Sequence, residues 1–359
     1  MPSQIAHFLF ARNVIEKGLG IKGREMVRRY PELVAFFAQG PDIFYHNQRT
    51  RPGAFKYGRV IHRHGFGELV EGFVRRRSVA GAEEIEAENA VILAYTSHAF
   101  LDRILHPFII YFSGWRVPGD RSTDYLYRMH PFFERICDLM LAERRYGCTR
   151  ESFFAFNFFE MVRPVAKRTG LCNRVVLPAI QESYKNLNNP EIDETRFANA
   201  VHDALYFYKV TNPPAHENLC VAYKRDKASN FVRKILALYY PRDLDTSIDY
   251  MNEERREWRS PFEPENSCTE SFFDLYDRAM EKAAEAAGAL YGILTKGRIT
   301  EEDAEPIRTI VGNGNLSEGS ETKNPVPAVS EPLPLYSQLL RQYRFVEREF
   351  CLDKVFEHE

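Results

Sequence analysis

The chain has 359 residues, 44% of them hydrophobic and 27% charged, with 48 basic against 50 acidic side chains. This excludes a disordered chain, which would be poorer in apolar groups and more lopsided in charge. A formal net charge of −2 supplies no overall field for nucleic acid or an anionic membrane.

Read from its start, MPSQIAHFLFARNVIEKG has no basic leader ahead of an apolar run and no small-residue cleavage site, so no signal peptide is expected. His7 lies on an apolar first helix. AQGPDIFYHN follows, a Gly-Pro turn that presents the Asp42 carboxylate at the start of the next element, with His46 as a loop or rim residue. In GRVIHRHGFG, His62 follows Val60 and Ile61 and reads as inward, whereas His64 is flanked by Arg63 and Gly65. Arg75, Arg76 and Arg77 form the densest basic run and read as a solvated surface.

A long helix is expected over 83–105, acidic at its start as the helix dipole favours, apolar afterwards, and stopped by Pro107 near Leu105 or His106. The stretch 90–101 is interrupted by Thr96, Ser97 and His98 and falls short of the roughly 18 apolar residues a spanning helix needs, so no transmembrane segment is expected. Helical spacing returns over 131–145, 151–168, 177–187, 193–209, 226–238 and 271–294, while alternating β patterns are scarce. The fold class is therefore all-α. Six scattered cysteines (Cys137, Cys148, Cys172, Cys220, Cys268, Cys351) include no CxxC pair, which favours reduced thiols and a cytoplasmic protein. Three domains are expected: a helical body over 1–298, a flexible linker over 299–334, rich in Glu, Ser, Gly, Asn and Pro, and a helical tail over 335–359.

The chemistry concentrates in SHAFLDRILHPF, where His98, Asp102 and His106 follow one another at steps of four. Each step rotates by about 40° on an α-helix, so neighbours stand one turn apart on nearly one face. His130 and Glu134 repeat the step, with Pro131 suited to the first helical position. Imidazole and carboxylate in this geometry suit zinc. One His–Asp pair is equally explained as a hydrogen bond. Two imidazoles and a carboxylate on one apolar helix ask for compensation, since each buried polar group left unpaired costs about 1–3 kcal/mol. On spacing alone, a metal site and a satisfied core cluster both remain open. His202, His216 and His358 have no acidic or histidine partner at ligand spacing.

The ordered series His7, Gly-Pro-Asp42, His62, His98-x3-Asp102, His106-Pro and His130-x3-Glu134 resembles the zinc-dependent phospholipase C family. GPDIFYH, AYTSHAFLDRILHPFI and DYMNEERREWRSPFEPENSCTESFFDLYDRAMEKA are similar to its intracellular bacterial branch, and the likeness spans 2–294. The resemblance implies a multi-helix bundle around a metal cleft, of a kind shared with single-strand nucleases, holding up to three Zn2+ ions. Asp42, His62, His98 and Asp102 would hold one; Asp102 would bridge to a second that also takes His7; His106, His130 and Glu134 would hold the third. In the secreted enzymes the second zinc also takes the mature N-terminal amine and carbonyl, for which no leader is evident here, so occupancy by two metals or fewer is an alternative. His106 also follows Asp102 more closely than its equivalent does there.

The activity so implied is metal-dependent hydrolysis of a phosphodiester, with Asp42 as ligand and general base and a phospholipid head group or another intracellular phosphodiester as substrate. A nuclease-like phosphodiesterase and a catalytically silent, metal-stabilised interaction protein using the tail helix are the alternatives. Nucleic acid is not favoured, for want of a basic groove with stacking aromatics. Tyr45, Phe66 and Trp115 lie near the ligands in sequence and are candidates for a pocket lining. The oligomeric state is left open.

Overall fold

Apolar residues at helical spacing, with strong helix formers such as AMEKAAEAAGALYGIL, dictate helices packed by their apolar stripes. The computed structural model describes residues 3–77, 82–185, 191–296, 299–317 and 327–351, and it is all-α. The N-terminal layer is α1 (Gln4–Leu19), α2 (Ile21–Arg29) and α3 (Pro31–Phe37), followed by α4 (Phe55–Ile61) and α5 (Phe66–Arg76). Then come α6 (Ala82–Ser113), α7 (Met129–Tyr146), α8 (Arg150–Ala155), α9 (Phe158–Val162), α10 (Thr169–Ser183), α11 (Glu194–Val210) and α12 (Glu217–Ala228). The chain closes with α13 (Phe272–Leu294), α14 (Ala304–Val311) and α15 (Leu335–Val346). Among the described residues the strands are two-residue pieces, β1 (Trp258–Arg259) and β2 (Ser267–Cys268), antiparallel with Trp258 opposite Cys268.

At the centre α1, α6 and α13 pack on one another, burying Phe10, Leu101 and Leu290 completely. Gly18 permits the close approach of α1 to α13: a Cβ there would lie 2.5 Å from the Ala284 carbonyl oxygen. No helix among the described residues is long and apolar enough to cross a membrane.

Besides α10, which starts eight residues before the helix expected over 177–187 and carries Pro178 inside it, the structure departs from the sequence expectation in five places. First, α6 does not stop at Leu105 but runs 32 residues to Ser113 with Pro107 inside it. Proline costs a helix interior about 3 kcal/mol or more. The FIIYF run beyond it buries Phe108, Ile109, Tyr111 and Phe112, and a large apolar side chain contributes roughly 1.5–3 kcal/mol when fully buried, so continuation wins. Second, the helix expected over 151–168 is broken, because the Asn157 side chain accepts the Glu160 amide at 3.0 Å and restarts the chain as a cap. Third, the helix expected over 226–238 lies earlier, as α12. Asn230 and Phe231 then adopt positive φ and turn the chain.

Fourth, the segment expected to be a linker carries α14, which lays Ile307 and Val311 against α5 and is held there by Arg308 and Glu71 at 2.8 Å. Leu316 beyond it is fully buried. The part of the linker over 318–326 and of the tail over 352–359 lies outside the described residues. Fifth, Cys220 of α12 and Cys351 form a disulfide, with Cα atoms 5.3 Å apart, which corrects the expectation of reduced thiols throughout; a separation of 131 residues hides the pair from local spacing.

Candidate metal centre

Each predicted ligand is carried by an element with a local reason to stand where it does. His7 sits in the second turn of α1, whose first turn is gripped from outside by Asp138 of α7. That carboxylate accepts the Ile5 and Ala6 amides at 3.0 and 2.9 Å. Asp42 sits in a 3-10 turn, Gly40–His46, with Pro41 in its first turn. The turn lies hard against α6: Gly40 has φ 50°, and a Cβ on it would come within 2.5 Å of the His98 ring. Only glycine accepts both that conformation and that contact. His62 caps the C-terminus of α4, and α6 presents His98, Asp102 and His106 from one unbroken helix. His130 and Glu134 occupy the first two turns of α7.

These elements bring the predicted residues together. Asp102 lies at the centre, its two oxygens 3.3 Å from His7 Nε2, 3.1 Å from His98 Nε2 and 3.6 Å from His62 Nε2. His62 Nε2 is also 3.2 Å from Asp42 Oδ1. The rings of His7 and His98 stack with centroids 4.2 Å apart. A second group stands beside the first, with His130 Nε2 2.8 Å from Glu134 Oε1 and the His106 and His130 rings 5.3 Å apart. In three sets, His7–Asp42–His98, His62–His98–Asp102 and His106–His130–Glu134, one ligand atom per residue lies within 4.8 Å of the others. His98 belongs to two of them, so the inner five residues form one continuous cluster.

The inner cluster is buried and incompletely hydrogen-bonded. His7 Nε2, His62 Nε2, His98 Nε2, Asp42 Oδ1 and both Asp102 oxygens are buried without a hydrogen-bond partner. A protein rarely leaves so many buried polar atoms unsatisfied and pointed at one another. Two of the three inner imidazoles are oriented for ligation from behind, while His7 Nδ1 has no hydrogen-bond partner. His62 Nδ1 donates to the Gly58 carbonyl at 2.5 Å and His98 Nδ1 to the Ala38 carbonyl at 3.3 Å. A carbonyl can only accept, so the proton stays on Nδ1 and the Nε2 lone pair faces the cluster, the arrangement found behind metal-bound histidine. Burial, reinforced by neighbouring His98, pushes His7 down to about 4; burial also lowers His62, His106 and His130. Burial opposes the charge of Asp102, yet the imidazoles of His98 and His7 hold its carboxyl well below the usual range. Asp42 is pushed up by burial and by the charge on Asp102. Lowered proton affinity at His7 and His62 beside an ionised Asp102 favours the uptake of a divalent cation.

His106 is oriented by a residue that local spacing could not find. Its Nδ1 donates to the Leu316 carbonyl at 3.4 Å, and the Leu316 amide donates to the His62 carbonyl at 2.8 Å. One residue near the far end of the chain thus ties the two histidine groups. Arg103 holds that strap, donating to the carbonyls of Gly314 at 3.2 Å and Gly312 at 2.9 Å and to that of Val311.

Asp42, His62, His106, His130 and Glu134 open on a cavity of about 790 Å³. Tyr45 lines it, as expected; Phe66 is instead fully buried against Tyr95, and Trp115 borders a separate groove with Tyr111. His46, expected as a loop or rim residue, stacks on Phe207 at 4.0 Å and lines the same cavity. The Arg75–Arg77 run is not a free basic patch: Arg75 pairs with Glu71 and Glu301, and Arg76 with Glu182. Comparison with family models, with curated proteins and with solved structures finds no match to this chain.

Proposed function

We propose that the protein is a metal-dependent phosphoester hydrolase whose body resembles the zinc-dependent phospholipases C, with a helical bundle around a metal cleft. The observation that carries the reading is the gathering of six buried ligand atoms without a hydrogen-bond partner, from His7, Asp42, His62, His98 and Asp102, into two sets that share His98. The group formed by His106, His130 and Glu134 stands beside them at the same cavity. The donor set is imidazole and carboxylate without thiolate, and it opens on a cavity rather than closing within the core. Structural zinc sites have the opposite character.

Divalent cations held here would supply Lewis acidity toward a phosphoryl oxygen and make an adjacent water acidic. The protein's own part is division of labour. Asp102, wholly buried, can only anchor. Asp42, with a side chain 13% exposed at the cavity wall, is the carboxylate able to reach a nucleophile in the cavity and take its proton. Burial favours proton uptake by Asp42, the direction a general base requires. His106, His130 and Glu134 would hold a further cation at the same cavity.

The test is elemental analysis of the parent and Asp102→Ala, purified without chelator or added metal, alongside hydrolysis of bis(p-nitrophenyl) phosphate. Two or three zinc ions in the parent and loss of more than one in the variant, together with loss of turnover, are expected. A well-folded parent with no tightly bound metal would end this reading.

A further inference from the structure

The carboxylates that line the cavity are those of the metal groups, Asp42 and Glu134, whereas four arginines line it: Arg49, Arg128, Arg135 and Arg225. Two of the four are engaged by polar neighbours. Arg49 has Asp203 at 3.6 Å, and buried Arg135 donates to the Tyr240 hydroxyl at 2.7 Å, which donates to Asp138 at 2.9 Å. Arg128 and Arg225 have no carboxylate at ion-pair distance among the described residues. Arg128 Nη1 is buried without a hydrogen-bond partner, and its backbone is held at φ 64°, a left-handed conformation that a residue with a long side chain seldom adopts. Strain of this kind, at the mouth of α7 beside His130, keeps a guanidinium where folding alone does not need one.

The cavity's aromatic rings repeat the sign. Arg49 lies over Tyr206 at 4.0 Å, Arg128 over Tyr127 at 5.4 Å and Arg135 over Phe207 at 5.5 Å. An organic cation such as a quaternary ammonium would need open ring faces and a nearby acid. Here it would meet guanidinium groups instead.

We infer that the ligand of this cavity carries a second negative charge besides its scissile phosphoester, received by Arg128 and Arg225. That the ligand is a substrate rests on the hydrolase reading; that it is a double anion rests on the charge distribution. A phosphate opposite two unpaired guanidinium groups is bound by charge-assisted hydrogen bonds, the strong kind. The anion could belong to a phosphorylated lipid head group or to a nucleotide.

Calorimetric titration of the full chain with its metal as purified separates these. The probes are inositol 1-phosphate against inositol 1,4-bisphosphate, and thymidine 5′-monophosphate against thymidine 3′,5′-bisphosphate. In at least one pair the bisphosphate should bind about tenfold tighter, and the pair that shows it identifies the source. In the Arg128→Gln/Arg225→Gln double variant, matched for metal content, the preference should fall to within about twofold. If the double variant does not retain its metal, Arg225→Gln alone, on the exposed side of α12, should still lower the preference. Equal affinity within both pairs in the parent, a preference that survives the substitutions, or tighter binding of choline phosphate would each overturn the inference. A preference shown by a protein that hydrolyses no phosphodiester would leave the anion site standing and remove the hydrolase reading instead.

Discussion

The inner and outer histidine groups are built from the same residue types but anchored in different ways. The inner five come from α1, the Gly40–His46 turn, the end of α4 and α6, all within the first 102 residues, and none has a side chain more than 13% exposed. The outer three come from α6 and α7, and their His130 side chain is 32% exposed to the cavity. They depend as well on the Leu316 carbonyl, from the other end of the chain. An inner ligand is therefore also a core residue, and its loss should be felt by the whole fold. Among the outer ligands His130 faces solvent, and its loss should be felt by chemistry first, whereas His106 and Glu134 are as buried as inner His62 and Asp42.

The largest effect should follow Asp102→Ala. Three imidazoles within 3.6 Å lose the anion they converge on, and breaking a buried charged group away from its partners costs about 3–5 kcal/mol. Turnover should fall about 1,000-fold or more, the scale on which a charge-stabilising group is missed in a catalytic site. Thermal unfolding and metal content should fall together. A variant with native stability but no metal would place Asp102 outside the core role argued for it.

Glu134→Gln should separate the two groups. It keeps the shape of the side chain beside His130 and leaves the inner cluster intact. Turnover is expected to drop about 100-fold, with one metal lost per chain and the melting temperature nearly unchanged. Chelator titration of the parent should show the same order, with an early loss of metal that leaves the fold and a later loss that destabilises it. A single step would mean that the groups act as one.

The parts of this site legible in sequence are those where helix geometry converts spacing directly into space. His98, Asp102 and His106 on α6, and His130 and Glu134 on α7, could be placed on a face before any coordinate was known. Bringing Asp42, His62 and His7 to the same point took a resemblance, because nothing in their separations reports tertiary contact. Leu316 was beyond reach for a different reason. It acts through its backbone amide and carbonyl, so its side chain carries no chemical signal. The composition around it, polar and proline-rich, concealed that Ile307, Val311 and Leu316 suffice to dock the segment on the body. Asp138 continues the step of four after Glu134, but only the structure shows that it spends its carboxylate on the first turn of α1. The all-α class was the more robust inference, and the ends of its helices the less.

The strap gives a smaller and more specific test of the comparison. Arg103→Met should release the carbonyls of Gly312 and Gly314 while keeping most of the apolar length of the side chain. Leu316 would then hold His106 less firmly. Orienting groups behind a ligand are worth about 10–100-fold in metal affinity or activity. Arg103 acts at one remove further, so about tenfold is expected. The loss should fall on the outer metal, read as a raised dissociation constant with inner occupancy unchanged. If both metals weaken equally, the strap serves the fold as a whole and not the outer group.

The smallest effect concerns His46, which belongs to neither group but lines the cavity on which both open. Burial, with Arg135 and Arg49 adding their charge, pushes this imidazole down to about 3, while in the unfolded chain it titrates near its ordinary value of about 6.5. The folded state therefore binds fewer protons than the unfolded state between these limits. His46 contributes fully above about pH 6.5, and its contribution is lost as the pH falls toward 3. The candidate ligands His7, His62, His106 and His130 are lowered as well and act in the same direction, so the parent's acid limb cannot isolate His46. The difference between parent and His46→Phe can. Phenylalanine keeps the stack on Phe207 and has no proton to gain. Its stability relative to the parent should thus rise steadily from pH 7 to pH 5 in denaturant titrations, with metal content matched. A gap that stays constant across that range would mean that His46 takes up its proton in the folded protein as readily as in the unfolded chain, and that the cavity tolerates there the positive charge which its arginines argue against.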